Sequence, residues 1–305
     1  MRARGINYDT GFLLEHLSRP QFSLDAVRRD LAVIARDLHC DVVRVSGGDP
    51  ARLRLAAAEA AALGLEVWYA PFPVDLAPAD VTAVLTECAA DAEELRRGGA
   101  EVVFVAGCEI SAFCPGYLPG ETYLDRLQTL SSPDTDWVGL IERLNPFVAS
   151  TAAAVRQHFG GRITYAAGPW EFIDWSPFDI VGVDAYRAAY NADSFVDEVR
   201  GHGGHGKPVA VVEFGTCPYR GAGDRGGMAW TVPDGAEPDE DEQVRYFTEL
   251  SDVFEAEGVD TALWFTFARF SADQLGSYGV VTMVDETEWT PRALFAAMAD
   301  RYSHQ

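Results

Sequence analysis

Glu101-Val102-Val103-Phe104-Val105-Ala106-Gly107-Cys108-Glu109 is a nearly unbroken apolar run that ends on a carboxylate, and Pro208-Val209-Ala210-Val211-Val212-Glu213 repeats the design later in the chain. Runs without polar alternation are what parallel strands covered on both faces look like. Working outward from these two, similar β-rich runs occur at Arg4 to Tyr8, Val42 to Ser46, Leu65 to Ala70, Ile163 to Ala167, Ile180 to Asp184 and Thr261 to Phe267. Helical patterns separate them at Leu24 to Leu38, Ala51 to Leu63, Pro78 to Arg97, Trp137 to His158, Ser194 to Gly201, Asp241 to Glu257 and Arg292 to Tyr302. Eight strand-then-helix repeats predict an α/β chain folded as a single (β/α)8 TIM barrel over residues 1–305. Only the stretch around Phe172 to Trp175 is available for a fifth helix, so that unit is expected to shrink to a turn.

Loop lengths point the same way. Helix-to-strand connections such as Leu38 to Asp41 and Gly258 to Asp260 are brief, whereas Ile110 to Asp136, Phe214 to Glu240 and Ala268 to Pro291 follow strands and are long. A barrel builds its site from strand-to-helix loops at the carboxyl ends of the strands. Glu109 and Glu213 face that mouth. The first strand runs into Asn7-Tyr8-Asp9-Thr10-Gly11-Phe12, which is not the Gly-rich phosphate loop of a nucleotide-binding sheet, and no cofactor is expected.

A formal net charge of −23 over 305 residues opposes nucleic acid and anionic membrane surfaces. A small-molecule or oligosaccharide substrate, neutral or cationic, suits it better. The basic amino terminus has no apolar stretch behind it and no run approaches about 20 apolar residues. Five cysteines without regular spacing read as reduced thiols, and the expectation is a cytoplasmic protein.

Strand ends collect polar and aromatic groups: Asn7, Tyr8 and Asp9; Arg44 and Ser46; Glu109; Trp170 and Glu171; Asp184 and Tyr186; Glu213; Trp264 and Phe267. Such groups are costly in an apolar barrel unless they bond to one another or to a ligand. Two carboxyl groups flanking a glycosidic bond are the usual means of cutting it, and aromatic rings stack on the CH-rich faces of sugars. The expected substrate-binding residues are Asn7, Asp9, Arg44, Trp170, Asp184, Tyr186, Trp230 and Trp264; Asp9 and Asp184 could instead anchor loops, with binding the favoured reading for Asp9 and neither favoured for Asp184. Trp230 tips the Gly-rich stretch Gly221 to Trp230, either a closing lid or an ordinary flexible excursion.

The arrangement resembles the retaining (β/α)8 glycoside hydrolases of clan A, which include cellulases, β-mannanases and β-galactosidases. The resemblance implies that Glu109, after strand four, is the acid/base and that Glu213, after strand seven, is the nucleophile. Arg44, Tyr186 and Trp264 resemble the Arg of strand two, the aromatic of strand six and the Trp of strand eight in that clan. Arg4-Gly5-Ile6-Asn7 looks like the first strand of cellulase-like members. It further implies double displacement, with Glu213 held as the attacking carboxylate by Arg44 and Tyr186, and Glu109 kept protonated by burial and by the Glu213 charge. One departure stands out: clan members carry Asn before the acid/base, where it holds the sugar 2-hydroxyl, and this chain has Cys108. The segments Arg4 to Phe12 and Val105 to Glu109 also look like bacterial proteins labelled "abortive infection protein", a label that identifies no reaction.

Two other chemistries fit less well. A metal-dependent hydrolase needs histidines at strand ends, but His16, His39, His158 and His304 fall in or beside helices. His202 and His205 precede strand seven on the opposite face, and no metal is expected. Cys108, Cys114 and Cys217 lie near the mouth with no histidine placed to activate them. A barrel that binds carbohydrate or a metabolite without turning it over is the remaining alternative, favoured by Cys108 and disfavoured by the presence of both glutamates.

Overall fold

The computed structural model describes residues 1–14, 17–270 and 273–304. Eight parallel strands close into a (β/α)8 barrel with helices on the outside. In chain order these are β1 (Ala3–Asp9), α1 (Leu24–Arg36), β2 (Val42–Gly47), α2 (Pro50–Ala62), β3 (Glu66–Pro71), α3 (Pro78–Arg97) and β4 (Val102–Cys108). There follow α4 (Ile110–Phe113), α5 (Tyr123–Thr129), α6 (Trp137–Arg156), β5 (Arg162–Ala166), β6 (Val181–Asp184), α7 (Phe195–His202) and β7 (Val209–Phe214). The chain ends with α8 (Glu240–Ala256), β8 (Thr261–Trp264), a hairpin of β9 (Val281–Met283) with β10 (Trp289–Pro291), and α9 (Ala293–Ser303).

Local chemistry explains where the main helices begin. Ser23 caps α1 by accepting from the Ala26 amide at 3.4 Å, and Asp49 caps α2 at the Ala51 amide at 2.9 Å with Pro50 in the first turn. Asp136 does the same for α6 through the Gly139 amide at 2.9 Å. The fifth repeat has no helix among the described residues, as its sequence predicts, and β5 passes to β6 through turns.

Side chains alternate across the barrel wall. Val42, Trp68, Val103, Val105, Ala166, Ala210, Val212 and Leu263 fill the interior, while Ile6, Val43, Val67, Phe104, Ile163, Val211 and Trp264 face the helices. Two strands break this rhythm near the mouth. The β4–β5 register shifts between Val105 and Cys108, and the β7 register shifts against both neighbours between Val211 and Phe214. Each extra residue is a β-bulge, which re-aims the side chains beyond it. Gly107, at φ +122°, supplies the backbone freedom for the first.

The β5–β6 seam is the thinnest join. It closes through the amide of Ala167 on the Gly182 carbonyl at 3.0 Å and the amide of Asp184 on the Ala167 carbonyl at 2.9 Å. Gly182 permits this approach, because a methyl group there would lie 2.2 Å from the Tyr165 carbonyl oxygen. Among the described residues no helix is long and apolar enough to cross a membrane, and all five cysteines are free and buried.

The seam gives the first prediction. Gly182→Ala should cost about 3 kcal/mol of unfolding free energy, at the upper end of overpacking effects, as read by urea denaturation. A loss under about 0.5 kcal/mol, the scale of an ordinary surface change, would show that the seam tolerates a side chain.

Candidate active site

Both bulges deliver carboxyl groups to the mouth. Beyond the first, Glu109 sits at φ 42°, ψ 41° as the N-cap of α4, its amide bonded to the Ala166 carbonyl at 2.9 Å and its own carbonyl accepting from Ala112 and Phe113. A non-glycine residue in this left-handed region is uncommon and places its side chain where regular strand geometry would not. The second bulge turns Glu213 inward, next to Val212.

Each oxygen of Glu213 is held. Oε1 pairs with the Arg44 guanidinium, and Oε2 accepts from the Tyr186 hydroxyl at 3.1 Å. Arg44 is fixed in turn by Asn7, whose Oδ1 accepts from Nη1 at 3.0 Å. The Asn7 amide nitrogen donates to the Val212 carbonyl at 3.0 Å and the Trp264 carbonyl at 3.3 Å, so its polar atoms are spent on the protein. Asn7 therefore positions Arg44 and does not reach a ligand. Burial opposes the charge on Arg44 but is outweighed by Cys108, Glu213 and Asp184, and its pKa rises above the usual value.

Asp184 and Cys108 complete the floor. The Cys108 thiol lies 3.9 Å from Asp184 Oδ2 and 3.8 Å from Glu213 Oε1. Burial, with the Glu213 charge next, pushes Glu109 well above the usual carboxylate range; the same two causes raise Asp184. Burial also raises the Cys108 thiol, which argues against a thiolate nucleophile at neutral pH. Cys108, Asp184 and Glu213 bring three ligand-type atoms within 4.8 Å of one another. The Arg44 guanidinium already occupies Glu213, so the set is poorly matched to a second cation.

Glu171 is a structural neighbour of the site. Its carboxylate accepts from the Ser111 amide at 3.0 Å, the Ser111 hydroxyl at 2.6 Å, the Tyr165 hydroxyl at 2.9 Å and the Gly168 amide at 3.3 Å. Burial lifts its pKa to about 7 against the pull of those bonds. Trp170 is tied to the same knot through Nε1 on Ser111 Oγ at 2.9 Å. A methyl group on Gly168 would come 2.7 Å from the Trp170 ring and 2.9 Å from Glu109 Oε1, so Trp170 borders the Glu109 carboxyl.

Aromatic residues wall the mouth on two sides. Tyr186, Trp230, Phe265 and Tyr278 pack together after β6, β7 and β8, with Tyr278 ring centres 6.1 Å from Tyr186 and 5.7 Å from Phe265. Opposite, Phe12, Phe72, Phe113 and Tyr123 form a chain of ring contacts with centres 4.8–5.7 Å apart. The second wall was not anticipated from sequence, because its members come from loops separated by up to a hundred residues or so, and only the barrel brings them together.

Besides Asn7, three expectations need correction. Trp264 does not line the mouth: it is fully buried behind β8, donates to the Tyr278 carbonyl at 2.9 Å and packs edge-on against Phe214 and Phe247. Strand alternation sends it outward and turns the next residue, Phe265, inward. Asp9 is a loop anchor, accepting from the Gly11 amide at 2.6 Å and the Ser18 hydroxyl at 2.8 Å. Nor is the Gly221–Trp230 stretch a loose excursion. It folds as two 3-10 turns bonded to its surroundings, with Ala189 donating to Asp224, Tyr219 to Ala229 and Tyr278 to Gly227. His202 ends α7, away from the mouth, and His16 lies outside the described residues.

No protein family and no curated protein sequence matches the chain. Solved structures do. A GH113 β-1,4-mannanase superposes with a TM-score of 0.70 at 15% identity, covering 100% of this chain and 99% of that one. The GH113 β-mannanase AaManA from Alicyclobacillus acidocaldarius gives 0.65 at 18% identity, over 99% and 97%. A GH5-4 broad specificity endoglucanase from Clostridium longisporum gives 0.60 at 13%, over 98% and 96%. At these identities the likeness establishes the (β/α)8 fold.

The strand-eight register predicts unequal stability losses. Trp264→Ala empties a dry slot and should cost about 3–5 kcal/mol, whereas Phe265→Ala opens a half-buried position and should cost far less. Equal losses in chemical denaturation would contradict the orientation described.

Proposed function

We propose that the chain is a glycoside hydrolase that cleaves a glycosidic bond by retaining double displacement, the whole of residues 1–305 serving as one catalytic domain. The observation that carries this reading is the unequal treatment of two carboxyl groups at one mouth. Glu213 has both oxygens anchored by cationic or hydroxyl donors and is oriented to attack. Glu109 is driven toward its protonated form by burial and by the charge of Glu213. Environments that push two carboxyl groups apart in this way divide the acid from the nucleophile.

In the first step Glu109 gives its proton to the leaving oxygen as a Glu213 oxygen bonds the anomeric carbon and the C–O bond to the aglycone breaks. Glu109, now a carboxylate, takes a proton from water in the second step. The water oxygen displaces Glu213, restoring both groups and releasing a sugar of unchanged anomeric configuration. Arg44 stabilises the carboxylate as it leaves, and Tyr186 keeps the second oxygen from rotating.

An oligosaccharide is the substrate class that the two aromatic walls favour. Trp170, Trp230 and Phe265 offer half-exposed ring faces. The solved structures it resembles include proteins described as β-1,4-mannanases, so β-1,4-linked mannooligosaccharides are the first substrates to try. Free thiols and the lack of a charge match to membrane lipid or nucleic acid suit a cytoplasmic enzyme acting on small glycosides. The alternative is a carbohydrate-binding barrel without turnover, and Cys108 favours it by weakening the hydrogen bonding offered beside Glu109.

Aryl α- and β-glycosides and mannooligosaccharides should separate these readings. Release of aglycone by the parent protein is expected, with Glu213→Gln abolishing it and Glu109→Gln lowering it by about 10²–10⁴-fold, the range for loss of a general acid. Glu109→Gln should lose least with the best leaving groups, which need no proton. Sugar-dependent melting shifts without any release would replace the enzyme by the binding protein.

A further inference from the structure

Helix α4 begins on the residue read as the acid. An N-cap side chain ordinarily accepts from the orphan amides of the first turn, and Ser23, Asp49, Thr122 and Asp136 all do so at other helices of this chain. Glu109 holds the N-cap position of α4 and its side chain makes no such bond. Its carboxyl group is therefore available to the mouth only if something else satisfies those amides.

The turn after β5 supplies the substitute. The Ile110 amide donates to the Tyr165 hydroxyl at 2.9 Å and the Ser111 amide to Glu171 Oε1 at 3.0 Å, while Ala112 and Phe113 donate to the Glu109 carbonyl. Glu171 also takes the Ser111 hydroxyl at 2.6 Å on the same oxygen, and on its other oxygen the Tyr165 hydroxyl at 2.9 Å and the Gly168 amide at 3.3 Å. It is buried, and both its oxygens are spent on the protein, so it does not reach a substrate. Ser111 Oγ in turn accepts from Trp170 Nε1 at 2.9 Å, and Gly168 in the same turn lies against both the Trp170 ring and the Glu109 carboxyl. Burial and the Glu213 charge come first in raising the Glu109 carboxyl, and the Glu171 charge adds to them.

We propose that Glu171 is the positioning residue of the acid: it caps the turn after β4 in place of Glu109, which leaves the Glu109 carboxyl free for the mouth with the Trp170 ring locked beside it. The proposal rests on the reading of Glu109 as the general acid. Without Glu171 the Ser111 amide and hydroxyl lose their acceptor, and the Glu109 carboxyl is the nearest group of the same turn able to replace it.

The test compares kcat/KM, which reports the step in which the acid acts, for phenyl and dinitrophenyl glycosides of the sugar that the parent releases fastest. Glu171→Gln keeps the shape but turns one acceptor oxygen into a donor, so donors meet a donor whichever way the amide lies. The phenyl glycoside, which needs a proton on its leaving oxygen, should lose about 10²-fold, the scale of a catalytic group misplaced by roughly 1 Å. The dinitrophenyl glycoside, which does not, should lose far less. Tyr165→Phe leaves the Glu171 charge in place and should give the same pattern at smaller size, which makes the effect one of geometry. In ¹⁵N-labelled protein the Trp170 indole N–H resonance, assigned through Trp170→Phe, should move in Glu171→Gln.

A merely structural Glu171 would lower both rates by one factor, through the fraction of folded protein, and leave their ratio at the parent value. That result, or an unmoved indole resonance, overturns the proposal while hydrolysis by the parent leaves the glycosidase reading intact. A parent that releases no aglycone overturns the glycosidase reading and the role of Glu171 with it. If Glu171→Gln does not fold, the ratio in Tyr165→Phe decides the matter, and a parent-like ratio there overturns the proposal.

Discussion

The Arg44–Glu213 ion pair is the contact on which the mouth of this barrel depends. Arg44 is 1% exposed, and among the described residues its Nε and Nη2 find no hydrogen-bond partner. A buried guanidinium is tolerable only because the charges around it are of the other sign. Removing one partner of such a pair costs about 3–5 kcal/mol, since the other is left charged in a dry place. Asn7 makes the pair rigid by bonding Arg44 on one side and the carbonyls of Val212 and Trp264 on the other. Strands β1, β2, β7 and β8 are thus joined at the site by side chains as well as by their ladders.

That constraint also decides how the other carboxyl groups behave. Arg44 supplies one positive charge, and Glu213 uses it. Glu171 is stabilised separately by the amides and hydroxyls of Ser111, Tyr165 and Gly168, a local solution that needs no cation. Burial, with the charge of Glu213 next, pushes both Glu109 and Asp184 toward their protonated forms.

Much of this was legible in the sequence, and the reasons differ by level. The barrel could be read because both faces of each strand are buried, so strands appear as apolar runs that helical periodicity cannot imitate over such lengths. Glu109 and Glu213 could be read because they stop those runs. The misplacement of Trp264 has a definite cause: side chains alternate with a period of two, and the run Thr261 to Phe267 contains three aromatics, of which Trp264 and Phe265 are adjacent and so point to opposite faces. Only the sheet register, with Gly5 opposite Leu263 and Ile6 opposite Trp264, separates them. Asp9 was ambiguous because its partner Ser18 lies nine residues on, with no sequence pattern linking the two. Gly107 was a signal passed over, since an isolated glycine within a strand pattern marks a bulge, and this bulge aims Glu109.

Cys108 now has a physical reading within this arrangement. It occupies the interior position between Asp184 and Glu213, where a side-chain amide would donate strong hydrogen bonds to either carboxylate. A thiol donates weakly and occupies less space, so it leaves the Asp184 carboxyl group with little to stabilise a charge. The Glu213 carboxylate does not depend on that thiol, because Arg44 and Tyr186 hold one oxygen each.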